Sequence, residues 1–324
     1  MGQKTDLNVS PYYDDFDETD NFHRVLYRPS FAVQARELTT QQSILQNQIE
    51  RMGRHIFKEG AIIIPGEVGY IDEYYAVKLQ STFNGVSITS NASSYVDTII
   101  TGTTSGVRAQ VIGQTAADST DPLTLFVKYI KPSDTDQETQ TFTDGENIKS
   151  DTAIGTFSIN QESAVLQASD ATATGSAAYA NAGVYFIRGH FIKSTTQRIV
   201  LDKYTNTPSY RIGFAITENL ITPESDTSLL DNATGSSNVN AKGAHRLNYA
   251  LTLSKLSLTS TADTNFVELM RVSNGTVQSK ARPTEYSVLG DNLARRTYDE
   301  SGHYTVRRFQ VDTKESLDDG LNQG

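Results

Sequence analysis

Residues 35–57 carry side chains that recur in alternating steps of four and three residues. This spacing defines the a and d positions of a heptad repeat, the pattern of a helix with one narrow apolar seam. The a positions are Gln42, Ile49 and Ile56, and the d positions are Leu38, Leu45 and Met52. We therefore predict a heptad-patterned helical region over residues 35–60.

The seam is compatible with two arrangements. It can meet a helix of another chain, or it can pack as an amphipathic helix against the chain's own β-domain. Three heptads are too few to hold chains together unaided. The polar residue Gln42 at an a position costs stability but can fix register or partner number, so a dimer and a trimer both stay open.

Residues 1–34 are predicted to form an extended docking arm. The pair Arg28-Pro29 favours an extended backbone. Disordered segments are usually poor in aromatic residues, whereas this one is rich in them, so we expect it to dock on a surface. The acidic run at 14–20 lacks the spacing of a calcium loop and is predicted to be solvated or paired with basic side chains. The arm residues that we expect to make interactions are Tyr12, Tyr13, Phe16, Phe22 and Arg28.

The rest of the chain alternates short apolar strands with Gly, Ser, Thr, Asn and Asp, which is typical of β-structure. We predict a mainly-β fold with several sandwich or barrel modules, beside the N-terminal extended arm and one long α-helix. Residues 61–82 together with 161–300 are assigned to a main β-domain and 83–160 to a small inserted β-barrel or sandwich. Residues 301–324 are expected to begin a further C-terminal region.

Several local elements follow from the same patterns. The stretch 183–193 is predicted to be strand, with Val184, Phe186 and Ile192 on one face. Residues 222–243 are expected to form a long loop, with a short helix near 292–296 and a strand at 304–311.

Composition and motifs narrow the functional classes. The chain has no cysteine, so disulfides, thiolate metal sites and cysteine nucleophiles are excluded. No apolar run approaches the ~18 residues of a membrane span, and a net charge of −10 without a basic stripe disfavours nucleic acid as a partner. The five histidines are scattered, and neither a nucleophile elbow nor a phosphate loop is present. We predict no catalytic residue, no cofactor and no metal site, and therefore not an enzyme.

Four stretches together resemble a family of virion structural proteins of tailed, mostly contractile-tailed, cyanophage-like bacteriophages. They are YYDDFDETDNFHRVLYRPSFAVQARELTTQQSILQNQIERMGRHIFKEGAIIIPG, GVYFIRGHFIK, SLLDNATGSSNVNAKGAHRLNYALTLSK and RTYDESGHYTVRRF. The resemblance implies a baseplate or tail-fibre-attachment role in the virion, after synthesis in the host cytoplasm. It implies other tail and baseplate proteins as partners, and a homo-oligomer fits the same role.

An alternative is a tail protein that binds a host surface glycan through the 83–160 module. Such a site needs exposed aromatic platforms, for which Phe83, Tyr95, Phe126, Tyr129 and Phe142 are the candidates, although the same residues fit a core. A glycan-degrading tail spike would need a long β-helix, and no short-period repeat is visible.

Overall fold

In a computed structural model, the part of the chain that is described is mainly antiparallel β-structure with two α-helices. The structure describes residues 3–64, 66–133, 138–231, 238–260, 264–281 and 287–303, and the backbone of 314–315 and 322–323. The predicted mainly-β class is thereby confirmed. Residues 3–34, here called the N-terminal segment, hold one short 3₁₀ turn at Glu18–Asp20 and otherwise irregular backbone, and their role as an arm stays a prediction.

Helix α1 spans Ala35–Ile56, so the predicted helix is present but ends four residues before the predicted bound at residue 60. The backbone N–H of Gln34 donates to the Glu37 carboxylate at 2.9 Å, which caps the first turn. The helix ends where Phe57 adopts extended backbone. Helix α2 spans Ser287–Ser301 and is longer than the short helix expected near 292–296, while the strand expected at 304–311 lies outside the described residues.

The strands are numbered along the chain. Strands β1 to β9 are Ile62–Ile64, Val68–Lys78, Thr82–Phe83, Val86–Ser87, Ile99–Gly102, Arg108–Thr115, Thr124–Lys131, Asn147–Ser150 and Glu162–Val165. Strands β10 to β19 are Thr172–Ala180, Gly183–Ile187, His190–Ser194, Gln197–Asp202, Tyr210–Ile221, Leu230–Asp231, Asn238–Lys242, Arg246–Ser257, Phe266–Ser273 and Thr276–Lys280. Two-residue strands β20 (Lys314–Glu315) and β21 (Asn322–Gln323) pair with each other.

Three larger sheets carry the fold. The first has eight strands in the order β13-β10-β2-β7-β6-β5-β8-β9, the second has four in the order β17-β14-β18-β19, and the third has three in the order β1-β11-β12. One apolar core is built from residues between Val77 and Ala171, and a second lies among β1, β2, β10–β14, β17 and β18. Strand β2 contributes Val77 to the first core and Val68 to the second. Strand β2 pairs with β10 on one side and with β7 on the other, so the stretches assigned to a main domain and an inserted module share one sheet. The domain division itself stays a prediction.

The stretch 183–193 is a hairpin, not a continuous strand. Strands β11 and β12 are joined at Arg188 and Gly189, whose φ angles are +52° and +77°. Two consecutive residues with positive φ form the turn type that suits a two-residue hairpin, for which Asn-Gly is the usual signal. Ile192 therefore lies opposite Tyr185, and the prediction that it shares a face with Phe186 was wrong.

The predicted long loop at 222–243 is only partly loop, because it contains the short strand pair β15 and β16. Residues 232–237 of that stretch lie outside the described residues. No helix in the described ranges has the length and apolar character needed to cross a bilayer.

Candidate interaction surface

Helix α1 packs on its own chain through a face that is not the heptad seam. Its buried residues are Ile44, Asn47, Glu50 and Gly53, spaced three apart. A Cβ atom at Gly53 would lie 2.5 Å from Cε2 of Phe186, so the ring occupies the space that a side chain would need. A Cβ atom at Gly189 would come equally close to the Glu50 side chain. In addition, Nε2 of Gln46 donates a hydrogen bond to the Gly189 carbonyl oxygen at 3.1 Å. Helix α1 therefore packs against the β11–β12 hairpin.

The acidic run of the N-terminal segment lies along α1. Asp14 is buried and accepts hydrogen bonds from the hydroxyl groups of Thr40 and Ser43. Asp15 pairs with Arg36 at 3.1 Å, and Glu18 pairs with Arg51. The expectation that these carboxylates pair with basic side chains is confirmed for Asp15 and Glu18. Such exposed pairs contribute little energy each, so they set the path of the segment more than its stability.

The segment then turns back along the same helix. Phe16, Phe22 and His23 line a small depression with Ile44 and Asn47 of α1. Nearer the start of the helix, the Tyr27 hydroxyl donates to Oε1 of Gln41 at 2.8 Å. Residues 21–27 therefore flank one side of the heptad seam.

The first residues of the segment are held on the β-body by a buried ion pair. Arg188 pairs with Glu218, and their side chains are only 7% and 6% exposed. The Glu218 carboxylate also accepts from the backbone N–H groups of Lys4 and Thr5, at 3.1 and 2.7 Å. Nζ of Lys4 donates to the Thr264 carbonyl oxygen at 2.5 Å. We call this group, with Asn265, the polar latch.

Electrostatics favour the charged form of the latch. Burial raises the pKa of Glu218, but the hydrogen bonds from Thr5, Lys4 and Arg188 outweigh it and leave the pKa below its ordinary value. Tyr249 lies next to the latch, with its ring 4.6 Å from the His190 ring. Burial raises the pKa of the Tyr249 hydroxyl group. The latch is therefore ionised at neutral pH and ties three separate parts of the chain together.

The heptad seam faces away from this packing and stays open. Leu45, Ile49 and Met52 are 56%, 48% and 68% exposed, and Leu38 is exposed to a similar degree. Gln42 is also exposed, and only Ile56 is half-buried. The N-terminal segment also exposes large apolar side chains: Phe22 and Leu26 in the stretch that contacts α1, and Phe31 and Val33 just before the helix in the chain. We call the seam together with these four residues the apolar face; a patch this rich in large apolar groups is typical of an interaction site.

A cleft of about 890 Å³ lies where β2, β7, β10 and β13 meet. Its aromatic lining is Tyr70, Tyr74, Tyr75, Tyr129 and Tyr179, with Arg198 beside them. The rings of Tyr75 and Tyr129 meet edge to face at 5.2 Å. Burial raises the pKa of Tyr75, and that of Tyr129 to about 12, so both hydroxyl groups keep their protons at neutral pH.

A family model for a domain of unknown function, DUF4815, matches residues 10–121 and 148–323, which is most of the chain. The chain belongs to the DUF4815 family. No curated protein and no solved structure matches it. The matched residues of this DUF4815 chain include α1 and most of the N-terminal segment. The apolar face is therefore part of the family domain.

The predicted site residues of the DUF4815 chain divide into two groups. Tyr12 is fixed on the body, since its hydroxyl lies 2.6 Å from Nδ1 of His245, and Phe16 is half-buried against α1. Tyr13 and Phe22 are exposed, and the Arg28 guanidinium lies 4.4 Å above the Phe31 ring. The second group is the seam, whose members lie together along one side of α1 as the heptad requires.

Sequence reasoning missed Gly53, Phe186 and the polar latch of the DUF4815 chain. A glycine inside a helical pattern signals close packing, and Gly53 carried that signal. Arg188 and Glu218 look like ordinary surface charges in the sequence. The carboxylates of Asp118 and Asp121 accept hydrogen bonds from Nζ of Lys203 at 2.9 and 2.7 Å. No cluster of three metal-ligating residues occurs within the described residues.

Proposed function

We propose that this DUF4815 protein is a non-enzymatic structural component of a bacteriophage tail, in the baseplate or fibre-attachment region. The apolar face is the observation that carries the proposal. Helix α1 packs on the body through a side that is mostly polar or small, and it leaves its apolar seam exposed to solvent. An exposed apolar surface of this kind is typical of a protein-binding site. The resemblance of its arm and helix to tailed-phage virion proteins supplies the setting.

In this proposal the N-terminal segment and α1 attach the protein to neighbouring tail or baseplate proteins and to sister copies, as a dimer or trimer. The β-sheets form the body that projects from that attachment. The protein is made in the host cytoplasm and ends in the virion. The polar latch supports the proposal because it holds the first residues of the segment on the body.

The test is incorporation into particles. The double variant Ile49→Lys with Met52→Lys places two charges on the exposed seam, and we expect about tenfold fewer copies per purified virion because apolar burial is lost and lysine must be desolvated. Quantitative mass spectrometry of particles from a complemented deletion strain measures the copy number. Val239→Lys is the matched control, since Val239 is equally exposed but lies in β16. Full incorporation of the double variant, or absence of the wild-type chain from virions, contradicts the proposal.

A second candidate is binding of a host glycan, favoured by the tyrosine-lined cleft. The aromatic residues of 83–160 that were considered as a glycan-binding platform lie mostly in the core, since Phe83, Tyr95, Phe126 and Phe142 are buried. The cleft instead combines half-buried tyrosine rings with Arg198 and exposed carboxylates, a mixture that suits a polyhydroxylated ligand.

We expect a host-surface polysaccharide to bind the full chain, and we expect Tyr75→Ala to weaken that binding about tenfold by removing a ring from the cleft wall. A glycan array followed by calorimetry measures it. Tyr298→Ala, at an exposed tyrosine of α2, is the control. Equal binding by both variants, or none by the wild type, ends this candidate.

A further inference from the structure

We propose that α1 pairs with α1 of a second copy of this chain, parallel and in register, through the heptad seam. The inference deepens the proposed function by naming one partner of the apolar face. It rests on the geometry and charge of that face, and it holds or fails on the purified protein.

The first argument is the shape of the seam. Leu38, Leu45 and Met52 alternate with Gln42, Ile49 and Ile56 along about 27 Å of helix. All but Ile56 are exposed; the buried residues Ile44, Asn47 and Glu50 lie away from the seam, while the buried Gly53 lies beside it. Helix α2 contacts α1, yet it leaves the seam uncovered. Side chains at these positions form the knobs and holes of a two-stranded coil.

The second argument is charge. The positions that flank the seam are the e and g positions of the heptad, which choose partners by their charges. In α1 none of them is an Asp, Glu, Lys or Arg: they are Thr39, Gln41, Gln46, Gln48, Gly53 and His55. Two of them, Gln46 and Gly53, also contact the β11–β12 hairpin of the same chain. A partner helix with acidic or basic side chains at these positions would find no oppositely charged side chain to pair with. A second copy of α1 would bring no like charges into contact.

The charged residues of α1 are engaged within the chain. Arg36 pairs with Asp15, Arg51 with Glu18 and Arg54 with Glu50. These residues occupy the b, c and f positions, away from the seam. The seam is thus left as an uncharged apolar strip, and self-recognition fits it best.

The third argument sets the orientation. In a parallel, in-register pair, Gln42 meets Gln42 of the other copy, and an amide can both donate and accept. An antiparallel pair centred on Asn47 would place Gln42 against Met52, where the amide finds no partner. The parallel pair satisfies the one polar residue in the seam.

The apolar side chains of the N-terminal segment can add to the contact area of a helix pair that is otherwise short. Three heptads alone give a marginal pair. Phe22, Leu26, Phe31 and Val33 are exposed in the segment that flanks the seam, and their burial in the same contact adds apolar area. The pair is therefore formed by α1 and the returning segment together.

The absence of cysteine from the chain makes the test clean, because every introduced thiol is unique. We expect Gln42→Cys to form a disulfide-linked dimer rapidly under mild oxidation, since the two sulfur atoms face each other in the parallel pair. Val239→Cys, at an exposed site in β16, is the control and should cross-link about tenfold more slowly. Equal rates for the two variants would overturn the pairing.

Sedimentation equilibrium of the unmodified chain gives the stoichiometry. We expect the mass of two copies, and a dissociation constant raised about tenfold or more by Ile49→Lys with Met52→Lys. A monomer at roughly 100 µM, or a mass of three copies, contradicts the inference. Cross-linking only in a mixture of Gln42→Cys and Met52→Cys chains overturns the parallel orientation. Absence of the chain from virions would remove the proposed function and leave a measured pair intact.

Discussion

Arg188→Met is expected to lower the free energy of unfolding by about 3 kcal/mol, because it leaves the Glu218 carboxylate buried without its cation. The side chains of the pair are 7% and 6% exposed, so water compensates poorly for the lost partner. Lys4 is a poor substitute for Arg188, because its ammonium group already binds two acceptors of the latch. Urea unfolding with an unchanged m-value measures the loss.

A second variant separates lost charge from lost packing. Glu218→Gln keeps an oxygen that can accept from Lys4 and Thr5, so the double variant with Arg188→Met removes both charges of the pair and retains acceptors. We expect this double variant to be more stable than Arg188→Met alone. A double variant that is less stable than the single one would show that the ion pair is not what the latch depends on.

The latch also predicts a dependence on pH. The pKa of Glu218 is below its ordinary value of 4.5, so its contribution is fully present above pH 4.5 and is lost as the pH falls through the folded-state pKa. We expect Glu218→Gln to flatten the acid side of the stability profile relative to wild type. The comparison is needed because Glu268, whose pKa is also lowered, contributes in the same range.

Phe186→Ala is expected to cost about 3–5 kcal/mol, the range for a large buried aromatic ring. The ring is fully buried, lies 5.7 Å from the Phe57 ring and 5.4 Å from the Phe191 ring, and fills the space above Gly53. Its loss opens a cavity under α1. Thermal unfolding and the rate of proteolysis within residues 3–57 report the global and the local effects.

Gly53→Leu tests the same contact from the helix side. Alone, it forces a side chain into the Phe186 ring, and we expect a cost of about 1–3 kcal/mol. Combined with Phe186→Ala, the new leucine fills the cavity, so the double variant should be more stable than the sum of the single losses implies. His55→Leu, at an exposed position of α1, should change stability by less than about 0.5 kcal/mol. Additive losses would mean that Phe186 does not seat the helix.

Sequence patterns predicted α1 well because the heptad is a local feature. They could not say which side of α1 packs inward, since the buried side holds Asn47, Glu50 and Gly53, which no hydrophobic pattern selects. That side is chosen by Phe186 and Gly189, which lie more than a hundred residues away in sequence. The two arrangements considered for the seam therefore needed the structure: the helix does pack on its own body, and the seam is not the part that packs.

The hairpin at Arg188 and Gly189 was missed for a related reason. An arginine with φ of +52° is unfavourable, and the usual turn signal at this position is Asn-Gly. The arginine lies there because its guanidinium group reaches Glu218 and Asn265. A residue chosen for a distant contact thus hides the local signal of the turn.

The sharing of β2 between two cores has a consequence for how this chain can be cut. Removing residues 83–160 takes away β5, β6, β7 and β8, and with them the strand that pairs with Tyr75–Lys78. The exposed backbone of β2 would become a bare sheet edge beside apolar residues, which is a template for aggregation. Because the eight-stranded sheet contains strands from both 83–160 and the rest of the body, we expect the body to stay soluble only when both are present. A shortened chain would need another strand to cover the exposed edge of β2.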